Sequence, residues 1–191
     1  MVRLTKIYTR TGDTGSTRLG DMSQTVKHDV RVDAYGDIDE TNSSIGLARA
    51  ALSAGHELDA ELARIQNDLF DLGADLCVPE SEEPPDFEPL RITAAQVARL
   101  EATIDRLNAQ LEPLTSFILP AGDEASARLH FARTVCRRAE RKMSALAASG
   151  ARINPEALKY ANRLSDLLFV MARIANLDAG GDVLWVPGKD R

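Results

Sequence analysis

Apolar residues recur along most of the chain with the period of a helix lying against neighbours. Leu58, Leu62, Ile65, Leu69, Leu72 and Leu76 step by 4, 3, 4, 3, 4, the narrow seam of a helix in a bundle. Pro79 stops it, and PESEEPPDFEP reads as a polar, proline-broken loop. A third helix starts at Thr93, whose Gln96 partner completes a capping-box pattern; its seam is Val97, Leu100, Ile104, Leu107 and Leu111, with Pro113 beyond. After the apolar link SFILPAG, Leu129, Ala132, Cys136, Ala139, Met143 and Leu146 mark a long fourth helix closed by Gly150. Asn154 before Pro155 caps a fifth, which carries Leu158, Ala161, Leu164, Leu168, Met171 and Ala175 and ends at Gly180-Gly181. Ahead of these, about Asp29 to Ala54 reads as a first helix with Val32, Tyr35, Ile38, Ile45 and Leu52 as its apolar positions, ended by Gly55.

The pattern predicts an all-α protein, an antiparallel five-helix bundle in one domain spanning residues 1–191. Its parts are an irregular N-terminal strip (1–28), the helices (29–181) and a short tail (182–191). The strip has no helical period and reads as an ordered loop or a disordered tail; residues 1–20 are expected to be disordered until a ligand arrives, because they have little apolar surface to bury. Composition agrees: 27 alanines and 23 leucines against 5% aromatic residues favour helix over sheet. No apolar run approaches the ~18 residues of a membrane span, and MVRLTKIYTR lacks the apolar core of a signal peptide. The expectation is a cytoplasmic protein with reduced thiols.

Net charge is −6, but the charges are segregated. From His56 to Leu90 there are eleven acids and one base, Arg64, whereas Arg128 to Lys142 holds six bases and only Glu140. An acidic chain that gathers arginines in one short segment suits a compact polyanion better than a nucleic acid, whose binders spread basic and aromatic residues along a face. A solvated cationic face is the alternative. Cys136 falls on an apolar seam and Cys77 ends the second helix, which favours structural thiols over nucleophiles. His28, His56 and His130 have no metal-site spacing.

Two segments carry chemistry. TKIYTRTGDTGSTR (5–18) interleaves Gly12 and Gly15 with Thr9, Thr11, Thr14, Ser16 and Thr17, flanked by Lys6, Arg10 and Arg18. Such a strip can wrap N–H groups and hydroxyls around phosphate oxygens, although it matches neither the Walker A loop nor the dinucleotide fingerprint and a plain polar tail explains it too. On the fourth helix Arg133, Arg137 and Arg141 stand at i, i+4, i+8, off the apolar seam. Aligned guanidinium groups repel unless neutralised, and their planar forks suit phosphate oxygens; surface ion pairs are the alternative. Glu140 lies within i+3 reach of Arg137 and is expected to steady it. Asn162, Asp166 and Arg173 share a polar face of the fifth helix suited to a base or ribose edge, and Asp39, with Asn42, offers a carboxylate to an arginine from elsewhere.

Taken together, KIYTRTGDTGST, AYGDIDETNSSIG, FILPAG, ARTVCRRAER and NRLSDLLFVMAR resemble, in order and over nearly the whole chain, the PduO-type ATP:corrinoid adenosyltransferases. The resemblance implies transfer of the 5′-deoxyadenosyl group of ATP to the cobalt of cob(I)alamin, with inorganic triphosphate leaving and Mg²⁺ accompanying ATP. It implies a homotrimer with each ATP between neighbouring subunits, an electron donor for cob(II)alamin and a downstream adenosylcobalamin-dependent mutase, with no nucleic-acid or membrane partner. By position it implies that Thr9, Arg10, Thr11, Gly12, Asp13, Gly15, Thr17 and Arg18 close over the triphosphate with Lys27. Arg137, Arg138, Glu140 and Arg141 bind the nucleotide, Glu140 near the Mg²⁺ or the ribose, and Asn162 contacts the nucleotide. Asp39 and Arg133 form a salt bridge across a subunit boundary, and Phe117 sits under the corrin. Arg137, Arg141 and Phe117 then carry the reaction, the last by displacing the lower axial ligand so that four-coordinate cobalt is easier to reduce. Some relatives shield the corrin with a further C-terminal aromatic; past Trp185 this chain has only VPGKDR, so that shield is absent or is Trp185 itself. The competing class is a carrier that delivers adenosylcobalamin without turnover.

Overall fold

The computed structural model describes residues 7–81 and 86–189. Lys6 of the strip, the acids Glu82 and Glu83, and Asp190 and Arg191 of the tail lie outside the described residues. Five helices follow a small hairpin: α1 (Val30–Ala51), α2 (Leu58–Cys77), α3 (Ala94–Asn108), α4 (Glu124–Ala148) and α5 (Pro155–Ala175), and a 3-10 turn spans Leu177–Ala179. None of the helices is long and apolar enough to cross a membrane.

The starts follow the expected chemistry. Asp29, Thr93, Asp123 and Asn154 cap α1, α3, α4 and α5, with both halves of the Thr93–Gln96 capping box formed. The ends are tighter than the periodicity predicts. α1 stops at Ala51, where Leu52 turns extended, so the helix does not reach Ala54. α3 stops at Asn108, leaving Leu111 half-buried in the turn beyond. On α1 the fully buried stripe is Ala34, Ile38, Thr41, Ile45 and Ala48; Val32, Tyr35 and Leu52 are only half-buried.

Successive helices run in opposite directions. Arg138 of α4 pairs with Asp37 and Glu40 near the start of α1, while Arg128 donates to the Leu47 carbonyl near its end at 3.0 Å. Likewise Cys136 meets Ala161 and His130 meets Phe169 across α4 and α5. α3 lies beside α5 and runs parallel to it, as alternate helices must: Ile92 is bonded to Asn154, and Glu101 to Arg163. The apolar core sits between α1, α2, α4 and α5, with α3 closing one side.

Two acids of the acidic segment are not surface charges. Asp75 is 2% exposed and accepts from Arg91 Nη1 (2.8 Å), Ile92 N–H (2.8 Å) and Asn154 Nδ2 (2.7 Å). Asp68, also buried, accepts from Tyr160 Oη at 2.9 Å and pairs with Arg99. A buried carboxylate persists only when its lone pairs are met in this way.

Within the strip, read from its sequence as an ordered loop or a disordered tail, β1 (Ser16–Arg18) pairs antiparallel with β2 (Gln24–Val26), Thr17 opposite Thr25. Backbone hydrogen bonds supply what apolar burial cannot, and the Gly20 N–H donates to the Cys77 carbonyl at 2.9 Å, fastening the hairpin to the end of α2.

Cys136 is 1% exposed and its thiol donates to the Ala161 carbonyl; burial pushes its pKa far above the ordinary value. The thiolate is the reactive form, so iodoacetamide at pH 8 should leave Cys136 unmodified in the native protein and alkylate it only on unfolding. Mass-spectrometric detection of native-state labelling at the rate of a free thiol would contradict this burial.

Candidate functional site

Three features face outward from this frame. The first is a cradle of about 600 Å³ in the strip, lined by Thr9, Arg10, Thr11, Gly12, Asp13, Thr17, Arg18 and Lys27. These are the expected phosphate-strip residues except Gly15, which shapes the turn beside it: its φ is +83° and its carbonyl accepts from the Lys27 N–H at 2.8 Å. The Lys27 side chain lies over Gly12, where an added Cβ would stand 3.1 Å from its Nζ. Three cations against one acid, with the Thr9 and Thr11 hydroxyls 2.9 Å apart, make this a polar basin for an anion. Ser16, one of the strip's hydroxyl residues, lines it as well, and so do Tyr8 and Gln24, to which the sequence pattern assigned no role.

The second feature is the arginine row of α4. Arg137 and Arg141 are exposed; Arg141 Nη1 donates to the Arg137 carbonyl at 2.9 Å, and among the described residues neither makes an ion pair. Arg138 points elsewhere. Its Nε is 3.0 Å from Asp37 Oδ2 and its other arm pairs with Glu40, and those hydrogen bonds raise its pKa. In this chain Arg138 therefore fastens α4 to α1. The expected Arg137–Glu140 pair is not formed. Glu140 instead accepts from Asn162 Nδ2 at 2.8 Å, and Asn162 Oδ1 accepts from Arg163 Nη1 at 2.6 Å. Glu140 and Asn162, predicted separately from two helices, thus meet as one unit beside the arginine row.

The third is an open recess of about 510 Å³ lined by Leu114, Thr115, Ser116, Phe117, Ile118, Arg133 and Phe169. Phe117 is 76% exposed, too open for a core residue of an apolar link. The Arg133 guanidinium carbon lies 5.9 Å from the Phe169 ring centroid, and its buried Nε has no partner. Burial first, then the charge of Arg137, lower its pKa. Arg133 is thus the end of the row nearest Phe117, and Arg137 and Arg141 lie about 6 and 12 Å further along the axis at 1.5 Å per residue.

Trp185 was the open question of the tail. The structure sets its ring 5.9 Å from Phe117 at an interplanar angle of 60°, because the tail pairs with the link: Trp185 N–H donates to the Phe117 carbonyl at 2.8 Å, and Ile118 bridges Leu184. Sequence reasoning missed this pairing; two short apolar stretches with no turn between them carry no hairpin pattern. It also misread Arg173, which is not free to read a base or ribose. Arg173 is 7% exposed, with Nε 2.8 Å from Asp182 and Nη2 2.8 Å from the Glu112 carbonyl. Asp166 remains exposed beyond the recess.

Asp39 is exposed on α1, beside a groove of about 320 Å³ that includes Tyr35, Phe70 and Cys77. It makes no bond to Arg133 within the chain. Cradle and recess likewise share no lining residue. Among the described residues no group of three His, Cys, Asp or Glu side chains could hold a metal ion.

The chain thus presents a polar basin, a row of guanidinium groups and an apolar recess, and known proteins resemble it over most of its length. The chain is 54% identical over its full length to a corrinoid adenosyltransferase of Mycobacterium tuberculosis strain H37Rv, covering 97% of that protein. It is 50% identical to one of Mycobacterium leprae, with 98% of each chain covered. In three dimensions it matches a phenylalanine-to-histidine variant of the PduO-type ATP:corrinoid adenosyltransferase of Lactobacillus reuteri, solved with cobalamin and ATP. The TM-score is 0.86 at 38% identity, covering 97% of this chain and 99% of that one. The family model described as cobalamin adenosyltransferase matches residues 7–175, nearly the whole of the helical frame and the strip, so the chain belongs to the cobalamin adenosyltransferase family.

Proposed function

We propose that this protein transfers the 5′-deoxyadenosyl group of ATP to the cobalt of cob(I)alamin. The observation that carries the reading is the line from Phe117 and Arg133 to Arg137 and Arg141: an apolar recess for a flat macrocycle continues directly into cations for a phosphate tail. The cobalt nucleophile supplies an electron pair to C5′ of ATP. The cobalt–carbon bond forms as the C5′–oxygen bond breaks, and triphosphate leaves with that bond's electrons. No side chain takes a proton in this displacement. The protein's work is alignment, which removes entropy from the barrier, and stabilisation of charge on the departing triphosphate.

Arg137 and Arg141 stabilise the leaving triphosphate from α4, and the strip with Lys27 closes over it. Glu140 and Asn162, held together at 2.8 Å, face the ribose. Glu140 and the strip hydroxyls would be the residues to hold the Mg²⁺ that accompanies ATP, which would add charge neutralisation on the phosphates. The donor set fits it, because Glu140 Oε2 is left free for the ion when Oε1 accepts from Asn162 and the strip adds hydroxyl oxygens.

We further propose a homotrimer with the ATP site between neighbouring subunits. Two features support it: cradle and recess share no lining residue, and among the described residues Asp39 and Arg133 are each without an ionic partner. One subunit's strip then meets the next subunit's arginine row, and Asp39 pairs with Arg133 across the boundary. Phe117 sits under the corrin and excludes the lower axial ligand, with Trp185 extending the same apolar wall. We assign the enzyme to the cytoplasm, where an electron donor reduces the corrinoid and an adenosylcobalamin-dependent mutase receives the product; its two free thiols accord with that compartment.

The test is anaerobic turnover of cob(I)alamin with ATP, followed by absorbance and by triphosphate release; binding without turnover would leave a carrier. In that assay Arg137→Ala should lose more than about 2 kcal/mol of transition-state stabilisation, and near wild-type kcat/KM in a folded variant would remove Arg137 from the mechanism. Phe117→Ala should retain ATP affinity but lose the spectrum of four-coordinate cob(II)alamin; an unchanged spectrum would discard the axial-ligand role. For the boundary pair, a double-mutant cycle of Asp39→Asn and Arg133→Met on corrinoid binding should show coupling of about 0.5 kcal/mol or more, whereas strict additivity would dissolve the pair.

A further inference from the structure

The last turn of α5 grips both segments that build the aromatic wall of the recess. Arg173 reaches the start of the link through the Glu112 carbonyl (2.8 Å) and the start of the tail through Asp182 (2.8 Å). Asn176, 1% exposed, grips the far end of the link. Its Oδ1 accepts from the Asp123 N–H at 2.8 Å, its Nδ2 donates to the Ala121 carbonyl at 3.1 Å, and its own carbonyl accepts from the Gly181 N–H of the tail at 2.8 Å. The fit is close. Gly122 has φ +108°, and an added Cβ there would stand 2.3 Å from Asn176 Oδ1, so only glycine fits beside this amide. From these anchors link and tail run side by side, the Leu119 N–H to the Val183 carbonyl and the Trp185 N–H to the Phe117 carbonyl, both at 2.8 Å.

We infer that Arg173 and Asn176 are positioning residues for the corrinoid half of the site: together they clasp the Phe117 link and the Trp185 tail at fixed offset, and so set the height and tilt of the wall on which the corrin rests. Neither is exposed enough to touch substrate; both act through Phe117 and Trp185. The inference rests on the proposed role of Phe117, and it predicts an asymmetry between substrates. ATP is gripped elsewhere, by α4 and the strip, so loosening the clasp should leave its binding intact.

The experiment compares Asn176→Ala and Arg173→Lys with the unaltered full chain. Lysine retains the charge facing Asp182 but has no fork with which to hold the Glu112 carbonyl at the same time. Steady-state kinetics with cob(I)alamin and ATP varied separately should show kcat/KM for the corrinoid falling roughly 10- to 100-fold, the range of a displacement near 1 Å, while KM for ATP stays within about twofold. Trp185 is the sole tryptophan, so its emission should shift to longer wavelength as the ring leaves Phe117. If Asn176→Ala does not fold, Arg173→Lys carries the same comparison. A proportional loss for both substrates, or an unchanged KM for the corrinoid with unshifted emission, overturns the inference. Phe117→Ala in parallel separates the two failures. Should it too leave corrinoid kinetics unchanged, the reading of Phe117 is wrong; should it alone alter them, the wall stands and the clasp does not set it.

Discussion

One helix has to satisfy two opposite solvents, and the arrangement of the rest follows from it. α4 buries Leu129, Ala132, Cys136, Ala139, Met143 and Leu146 against α1 and α5. The helical period then fixes Arg137 and Arg141 on another face, since a charged guanidinium without a partner is too costly to bury. Like charges four residues apart destabilise a helix modestly. That cost is tolerable because the apolar seam supplies far more, and because Arg138 is drawn aside by Asp37 and Glu40. What remains is a short cationic row on a rigid element, which is a better base for orienting a substrate than a loop would be.

Register along that row is set from the other side of the molecule. Asp75, buried near the end of α2, holds the backbone at Ile92 and the side chain of Asn154, the residue that caps α5. Fixing the start of α5 fixes everything helically downstream: Asn162 opposite Glu140, Phe169 beneath Arg133, and Arg173 and Asn176 at the foot of the recess. Asp68 with Tyr160 and Arg99 ties the same helices one layer further on. Buried, satisfied polar groups are directional where apolar contacts are not, so they specify a register that the leucines alone leave loose.

In the proposed site, the division between the two substrates mirrors the division of the scaffold. On that proposal, charge on a leaving triphosphate calls for cations in fixed positions, such as those of α4, together with a segment able to wrap. The hairpin strip, held to α2 through one backbone bond at Gly20 and otherwise polar, is such a segment. A flat apolar macrocycle needs a broad wall, which no single helix presents. The link and the tail make that wall only by pairing with each other.

The helices and their caps were legible in the sequence because both are local: leucine spacing needs only a neighbour on one side, and Thr93 or Asn154 acts within three residues of itself. Residue patterns alone left the site ambiguous, since a polar tail or surface ion pairs account for the glycine–threonine strip and the arginine row taken singly; the family became legible only from the five segments in order. Tertiary structure alone decided how those side chains are shared out. The partner of Glu140 is Asn162 on α5 and not its helical neighbour Arg137; Arg138 belongs to α1, Arg173 to the tail, and Asp68 and Asp75 to the interior. Trp185 meets Phe117 across 68 residues of chain for the same reason. An ionic or backbone hydrogen bond is satisfied by whichever complementary group the packing brings within about 3 Å, and one chain of letters contains the candidates but not the distances.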